Sequence, residues 1–368
     1  MPQLKEAPSH GTSRYLLFSV DTEPDDPTWS GLSGGPWSHE NLGGLAELGD
    51  RMRALGVRPT YLVSHSVAVS GRLEALLAKD LAALACEVGT HFHPGDTPPF
   101  PKLFPQPSPR PFPQRADDSA AAATDNIVRV PTALLEEKFA NLHAAISARF
   151  GAPTSYRSGA WAMDGRITAL LKRYGYRVDS SVTPGVSWRG NGRPSYLAAP
   201  MRAYPLGSGD PSLPDPAWPG PAGEGGILEV PVSIWSPRRW DGTFAGRLAG
   251  DLLTMPLAAR NSLPVRIIRA LRPQAPQWLR PAFMKTAEME AVSLRLEEAG
   301  ADYLHVMCHS NELWPGASPY CRDRRDLEEV HARLEGIFRF ALGRGYMPVT
   351  LSDYAARSRA AGKPFAPS

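Results

Sequence analysis

The sequence is poor in cysteine, in net charge and in long apolar runs. Three of its 368 residues are cysteine, which excludes a disulfide framework. Lysine and arginine total 40 and the acidic residues 37, so the formal net charge is only +3. This balance excludes nucleic-acid binding by bulk positive charge, and no nucleic-acid partner is predicted. No run of 18 apolar residues occurs, so no membrane-spanning helix is predicted either.

The first 14 residues also lack the apolar run of a secretory signal. Because thiols stay reduced in the cytosol, the few cysteines agree with a cytoplasmic location, which is our expectation. Hydrophobic residues make up 42% of the chain and charged residues 21%. Such a composition is typical of a folded globular protein and excludes wholesale disorder.

Proline, in contrast, is abundant, and it is concentrated in two clusters. Nine of the 38 prolines lie in 94–113 and nine more in 184–221. Because proline lacks a backbone donor and fixes φ, neither cluster can form an interior strand or helix. Both clusters contain aromatic residues, which disordered linkers tend to lack. This composition favours two ordered rims around a site over two loose surface loops.

Short β-rich runs alternate with segments of helical period along the chain. The runs lie at 15–20, 58–63, 87–92, 154–158, 176–180, 227–234, 302–308 and 346–350. The helical segments include 40–55, 73–85, 132–150, 165–174, 286–299 and 325–343. This alternation predicts a parallel sheet, and about eight strands favour an α/β barrel over an open doubly wound sheet.

We predict one domain over residues 1–368, because no internal repeat and no linker interrupts the pattern. Its core and inserts are predicted as follows: core at 15–185 and 226–355, proline-rich inserts at 94–125 and 184–225, and a basic amphipathic insert at 245–285.

Two strand ends carry groups that could hold a metal ion. Asp21 and Glu23 follow the first apolar run two residues apart, so both can face the same side. His91 and His93 end the third run with the same spacing, which makes them a natural chelate in extended chain. Two imidazoles, one carboxylate and an open position form the layout of a hydrolytic zinc site.

Three further strand ends carry polar side chains, namely Arg157, Asp179 and His309. In an α/β barrel the catalytic groups lie where the strands end and the following loops begin. Each residue alone could be structural, and a buried arginine with a buried aspartate could be only an ion pair. Polar groups at five successive strand ends nevertheless favour a shared site.

At these positions the sequence resembles the polysaccharide deacetylase superfamily, also called the NodB-homology fold or carbohydrate esterase family 4. The matching segments are SVDTE at 19–23, GVRPTYLVSH at 56–65, EVGTHFHP at 87–94, SYRSGAWAMDGRITALLKRYGYRVDSSV at 155–182, LHVMCHSNEL at 304–313 and GRGYMPVTLSDYA at 343–355. The segments HFHP and CHSNELWPGASPY look most like a bacterial branch linked with surface polysaccharide and lipopolysaccharide biosynthesis.

The resemblance implies an α/β fold, a deformed (β/α) barrel of the NodB-homology type with two proline-rich loop insertions. It implies a metal-dependent hydrolase that removes an N-acyl group, with N-acetyl as the first expectation, from a sugar. One divalent metal would be held by His91, His93 and either Glu23 or Asp21, with Glu23 as our choice. Zinc is the expected ion, and cobalt, manganese and nickel are the alternatives.

The resemblance also implies roles for the other residues. Asp21 would be the general base and His309 the general acid, with Arg157 holding Asp21 and Asp179 orienting His309. Three residues are predicted to bind the sugar: Trp161, Glu312 and Trp314.

Two departures from the family pattern keep other functions open. Thr22 stands where the family usually has a second aspartate, and the two histidines are closer in sequence than usual. A non-catalytic carbohydrate-binding relative is therefore one alternative. A metal hydrolase of the amidohydrolase type, which also uses His-x-His in a barrel, is the other; there the pair normally lies on the first strand.

A basic stretch over 252–287 contains six basic residues and no acidic one. It predicts either an insertion helix packed on the barrel or a surface that touches an anionic membrane or a phosphate-bearing substrate. The second interpretation predicts a lipid-linked or nucleotide-linked sugar and a place at the inner face of the membrane.

Overall fold

The structure is a computed structural model, and it describes residues 13–25, 38–83, 85–100, 126–189, 192–216, 226–236 and 276–360. Parts of all three predicted inserts lie outside the described residues: 101–125, 190–191, 217–225 and 245–275.

A curled sheet of nine strands forms the centre of the fold. Its strands are β1 (Tyr15–Thr22), β2 (Pro59–Val63), β3 (Glu87–Phe92), β4 (Ser155–Ser158), β5 (Val178–Asp179), β6 (Tyr204–Leu206), β7 (Ile227–Glu229), β10 (Tyr303–His309) and β11 (Met347–Pro348). The order is β10-β1-β2-β3-β4-β5-β7-β6, and β11 pairs with β1. Neighbouring strands are parallel except β6 and β7, which are antiparallel.

Irregular extended chain bridges the space between β7 and β10. The N–H of Ser233 donates to the carbonyl of His305 at 3.1 Å, and the N–H of Met307 donates to the carbonyl of Leu279 at 3.1 Å. The bridging segments include a separate antiparallel pair, β8 (Ile234–Trp235) and β9 (Gln277–Trp278). The predicted α/β fold with a deformed barrel is therefore confirmed.

Helices follow most of the strands and cover the outside of the sheet. They are α1 (Gly44–Leu55), α2 (His65–Val69), α3 (Arg72–Ala82), α4 (Thr132–Phe150), α5 (Gly165–Arg173), α6 (Thr286–Glu298), α7 (Arg324–Gly343) and α8 (Leu351–Ala360). In α4 the buried residues Leu135, Phe139, Leu142 and Ile146 recur at the helical period. No helix among the described residues has the length and apolar composition needed to cross a membrane.

Alternation along β1 separates the outer core from the barrel interior. Leu16, Phe18 and Val20 pack into the main cluster beneath the helices, whereas Leu17 belongs to a second, interior cluster. All eight residues of β1 are buried, as expected for a parallel strand covered on both faces. On the interior face of β1, the apolar Leu17 is therefore followed by the polar side chains of Ser19 and Asp21.

The structure differs from the predicted elements at three places. The predicted strand 227–234 is divided into β7 and β8, with Pro231 between them. β6 lies inside the predicted insert 184–225, so the sheet extends into that segment; it tolerates Pro205 because it is the edge strand. The described end of the basic insert is not helical before α6 begins at Thr286, and it contains β9.

Candidate active site

The ends of β1, β3, β4 and β10 bring the predicted polar residues into one layer. Strand register places Asp21 beside His309 and His91 beside Arg157. Glu23 follows β1 on the same side as Asp21, because side chains two apart share a face. The sheet thus places these five side chains together although they are far apart in sequence.

Glu23, His91 and His93 form a compact set of three donors. Glu23 Oε1 lies 2.8 Å from His91 Nε2 and 3.2 Å from His93 Nε2. The two Nε2 atoms are 3.1 Å apart. A tetrahedral zinc ion with ligands at about 2.0–2.1 Å requires neighbouring donors to be roughly 3.3 Å apart. The three side chains therefore fit a divalent metal ion.

The tautomer of His91 supports the same interpretation. Its Nδ1 lies 3.1 Å from the carbonyl oxygen of Arg157, which can only accept a hydrogen bond. His91 therefore donates through Nδ1, and its Nε2, which is free to bind an ion when the ring is neutral, faces Glu23. Metal-binding histidines are commonly oriented in this way by a carbonyl behind the ring.

Glu23 is a carboxylate in this cluster. Burial raises the pKa of Glu23, but the neighbouring His93 and His91 outweigh it and hold the pKa well below its usual range. A second set of donors, Asp21, Glu23 and His309, also converges closely enough to hold an ion. Glu23 is common to both sets.

His93 reaches the cluster because the chain after β4 leaves room for its ring. A Cβ atom at Gly159 would come within 2.6 Å of the His93 ring. The next two residues, Ala160 and Trp161, have φ values of 52° and 59°, in the left-handed region that non-glycine residues rarely adopt. Such strain tends to occur at functional sites.

Arg157 holds Asp21 at the centre of the layer. Both side chains are buried, and Nη1 of Arg157 donates to Oδ1 of Asp21. Three further hydrogen bonds fix the guanidinium, to the carbonyl and the hydroxyl of Ser180 and to the hydroxyl of Ser19, at 2.8–2.9 Å. Burial raises the pKa of Asp21, but the charges of Arg157 and the nearby histidines outweigh it and lower the pKa. The contact predicted between Arg157 and Asp21 is present.

A further histidine, His305, lies one layer deeper and was missed by the sequence analysis. His305 Nε2 is 2.8 Å from the Ser19 hydroxyl, which also accepts a hydrogen bond from Arg157. Burial, reinforced by the charge of Arg157, lowers the pKa of His305 to about 3, so the ring is neutral. Its position four residues before His309 on β10, and so on the same face, was the available signal.

His309 faces Asp21 with one nitrogen and a buried ion pair with the other. Its Nε2 lies 3.7 Å from Asp21 Oδ2. Its Nδ1 lies 3.0 Å from Nη2 of Arg280 and 3.3 Å from Oε1 of Glu312. In a neutral ring, Nδ1 accepts from Arg280, since a guanidinium can only donate, and the proton lies on Nε2, toward Asp21; in a protonated ring the Nδ1–H faces Glu312.

This arrangement gives Glu312 a different place from the predicted sugar contact. Its side chain is fully buried, forms an ion pair with Arg280 and accepts the backbone N–H of His309 at 3.3 Å. Glu312 therefore positions His309. Arg280 is the second residue that the sequence analysis missed, because it was counted only as one charge of the basic insert.

Asp179 also lies elsewhere than predicted, because it faces a second acid instead of His309. Its Oδ1 accepts from the hydroxyl of Ser181 at 2.5 Å, and its register partner on β7 is Glu229. Burial raises the pKa of Asp179 and raises that of Glu229 well above its usual range. Since two adjacent buried carboxyls cannot both ionise, the pair retains a proton. The carboxylate that orients His309 is Glu312.

We expect replacement of Glu229 with glutamine to change how stability depends on pH. Because the pKa of Glu229 is higher in the folded than in the unfolded protein, its protonated form contributes to the free energy of unfolding. This contribution is fully present below the unfolded-state pKa near 4.5 and is lost as the pH rises through the folded-state pKa. Glutamine does not titrate, so the variant should gain stability relative to wild type between pH 5 and pH 8, by up to about 1.4 kcal/mol per pH unit.

Urea unfolding of both proteins at the two pH values measures this gain. Asp326→Asn is the control, because its carboxyl has a pKa lowered to about 2 and does not titrate over that interval. A difference between Glu229→Gln and wild type that is the same at both pH values would contradict the shared proton.

The two tryptophans predicted to bind sugar occupy different surroundings. Trp161 is only 7% exposed, and its ring lies over the guanidinium of Arg157 at 5.3 Å and against Trp278 at 5.6 Å. Trp314 is half-buried, and its ring packs on Gly43, where a Cβ atom would come within 2.8 Å. Contact of either residue with a sugar stays a prediction.

Comparison with known proteins finds similarity in three dimensions only. No family model and no curated protein matches the sequence. A candidate polysaccharide deacetylase from Mycobacterium smegmatis superposes with a TM-score of 0.51 and 14% identity, over 100% of this chain and 99% of that one. A candidate glycoside hydrolase/deacetylase from Parabacteroides distasonis superposes with a TM-score of 0.55 and 10% identity, over 95% of this chain and 72% of that one. The chain therefore has the fold of these deacetylase-like proteins.

Proposed function

We propose that this protein is a metal-dependent carbohydrate N-deacetylase that acts in surface polysaccharide or lipopolysaccharide biosynthesis. The observation that carries the proposal is the set of Glu23, His91 and His93 directly beside Asp21 and His309. This combination of three metal donors, a carboxylate and an imidazole lies in a fold shared with a candidate polysaccharide deacetylase and a candidate glycoside hydrolase/deacetylase. Zinc is the proposed ion, with cobalt, manganese or nickel as alternatives.

A bound divalent metal would act as a Lewis acid on the acyl carbonyl and on a water molecule. Asp21 accepts a proton from the water as its oxygen bonds to the carbonyl carbon, and Arg157 keeps this carboxylate ionised and in place. His309, acting as an imidazolium whose Nδ1–H faces Oε1 of Glu312, donates its Nε2 proton to the amine as the C–N bond breaks, and the proton taken by Asp21 then restores the imidazolium. Arg280 and Glu312 fix the ring of His309 for this transfer. The products are a free amine on the sugar and a carboxylic acid.

The proposed substrate is a lipid-linked or nucleotide-linked sugar in the cytosol, at or near the inner face of the membrane. The sequence of the basic insert supports this proposal, since most of its positive residues are followed or preceded by apolar ones. Arg280 does not contribute to such a surface, because it is paired inward with Glu312. We also propose a single domain, since helices from both ends of the chain pack into one main core.

We expect the purified protein to bind about one zinc ion per chain and, so loaded, to release acetate from an N-acetylated sugar. His93→Ala removes one of three donors and should lose both the ion and the activity. Elemental analysis and an acetate assay measure the two quantities independently. His143→Ala is the matched control, since this half-buried histidine of α4 lies against Tyr174 and Tyr176.

The two readouts distinguish the alternatives. A protein that binds the ion but cleaves no N-acetylated sugar would support a non-catalytic carbohydrate-binding relative. A wild-type protein that cannot be loaded with any of the four metals would overturn the proposed function.

A further inference from the structure

Two aromatic side chains stand exposed beside the candidate active site. Phe283 is 42% exposed and Tyr320 is 38% exposed, and their ring centroids are 5.8 Å apart. Phe100 is the one other large aromatic residue in the described parts of the chain with comparable exposure. Because exposing an aromatic ring to water is unfavourable, a pair of neighbouring exposed rings indicates a binding surface.

Arg280 connects this pair to His309. Its guanidinium carbon lies 5.1 Å from the centroid of Phe283 and 5.9 Å from that of Tyr320. The same guanidinium contacts Nδ1 of His309 through Nη2. The width of one guanidinium group therefore separates the two rings from the imidazole that faces Asp21.

The charge of Arg280 does not make this surface an anion site. Glu312 is buried against the guanidinium and neutralises it, and the side chain of Arg280 is only 11% exposed. What the surface offers to solvent is therefore mainly the apolar area of the two rings. A ligand that matches it has an apolar face and a polar rim, which describes a neutral pyranose ring.

We propose that Phe283 and Tyr320 form a subsite that binds a pyranose ring of the substrate beside the sugar that is deacylated. The inference rests on the proposed function, because the reacting sugar must lie at His309. It assigns sugar recognition to residues other than Trp161 and Trp314, which are more covered by the protein. The subsite would select oligomeric or extended sugars over a monosaccharide.

The test compares binding and turnover in variants that change only the two rings. The double variant Phe283→Leu/Tyr320→Leu removes both aromatic faces but keeps apolar bulk, and Tyr320→Phe keeps the face. Leu294→Ala is the matched control, because this exposed residue of α6 is outside the proposed subsite. Thermal unfolding verifies that each variant is folded.

The probes are the N-acetylated trimers of glucosamine and galactosamine and the corresponding monosaccharides, with binding measured by ligand-observed NMR. For a trimer, the double variant should lose on the order of tenfold in affinity and raise KM by a similar factor, with kcat little changed. The monosaccharides should show a smaller change, and Tyr320→Phe and Leu294→Ala should behave like wild type.

Each contrary result has a distinct meaning. Unchanged trimer affinity in the double variant would overturn the subsite while leaving the deacetylase function intact, and so would a fall in kcat at constant KM. A wild-type protein that binds a trimer but does not cleave it would overturn the proposed function alone, since the binding comparison still tests the subsite. Failure of wild type to bind any trimer would overturn the subsite as proposed.

Discussion

Replacing Arg157 with methionine is expected to lower the free energy of unfolding by about 3 to 5 kcal/mol. Arg157 and Asp21 are both buried, so methionine leaves the Asp21 carboxylate without its closest counter-ion in the protein interior. The variant also loses hydrogen bonds to Ser19 and Ser180. Urea unfolding at pH 7 measures the loss, and turnover should fall with it because Asp21 is no longer held in place.

Two controls distinguish the effect of losing a buried charge from the effect of replacing arginine with methionine. Arg173→Met makes the same substitution in an ion pair with Glu136 in which the side chains are 60% and 43% exposed, and it should cost less than about 1 kcal/mol. The double variant Arg157→Met/Asp21→Asn removes both buried charges and should recover part of the lost stability. If the double variant loses as much free energy of unfolding as Arg157→Met and Asp21→Asn lose together when measured separately, the ion pair is not the source of the lost stability.

The sequence predicted the centre of this site because strand ends are visible in a single chain. β1, β3 and β10 are apolar runs that each end in polar residues, and parallel strands direct such ends to one edge of a sheet. The pairing of Asp21 with His309 then follows from strand register. The spacing of His91 and His93 was informative for the same reason, since alternation along extended chain places both rings on one side.

Residues whose positions depend on tertiary pairing could not be predicted. Glu312 turns back against His309 because a short 3-10 turn, Ser310–Leu313, follows β10, and three-residue spacing alone does not distinguish such a turn from a loop. Arg280 comes from an insert whose path no local pattern specifies. The partner of Asp179 depends on β5 lying next to β7, which requires the order of the strands.

In the proline-rich insert at 184–225, the rule about proline is correct but did not predict that part of the insert joins the sheet as β6. Proline excludes an interior strand, but an edge strand accepts it, and β6 joins the sheet at its edge with Pro205 inside it. The buried Tyr196 ties the same segment to the site, since its hydroxyl donates to the carbonyl of Trp161 at 2.7 Å. Pro205 and Tyr196 can be read from the sequence, but only the fold shows that one lies in an edge strand and the other contacts Trp161.

The second large effect is expected for Asp21→Asn, which should reduce turnover by about 10²- to 10⁴-fold while the protein keeps its metal. Asparagine fills the same space, but its amide cannot accept a proton from water. Because Glu23, His91 and His93 are unchanged, zinc content should remain at the wild-type level. Elemental analysis, circular dichroism and the acetate assay on one preparation measure metal, folding and activity together.

The metal content of this variant also decides between the two sets of donors. If the ion is held by Glu23, His91 and His93, Asp21→Asn keeps it and His93→Ala loses it. If the ion is held instead by Asp21, Glu23 and His309, Asp21→Asn loses the ion and His93→Ala keeps it, because Asp21 is then a ligand and His93 is not. A metal-loaded Asp21→Asn protein with the wild-type rate would remove Asp21 from the mechanism. Loss of both metal and activity would assign Asp21 to the ion, and another group would then have to accept the proton from water.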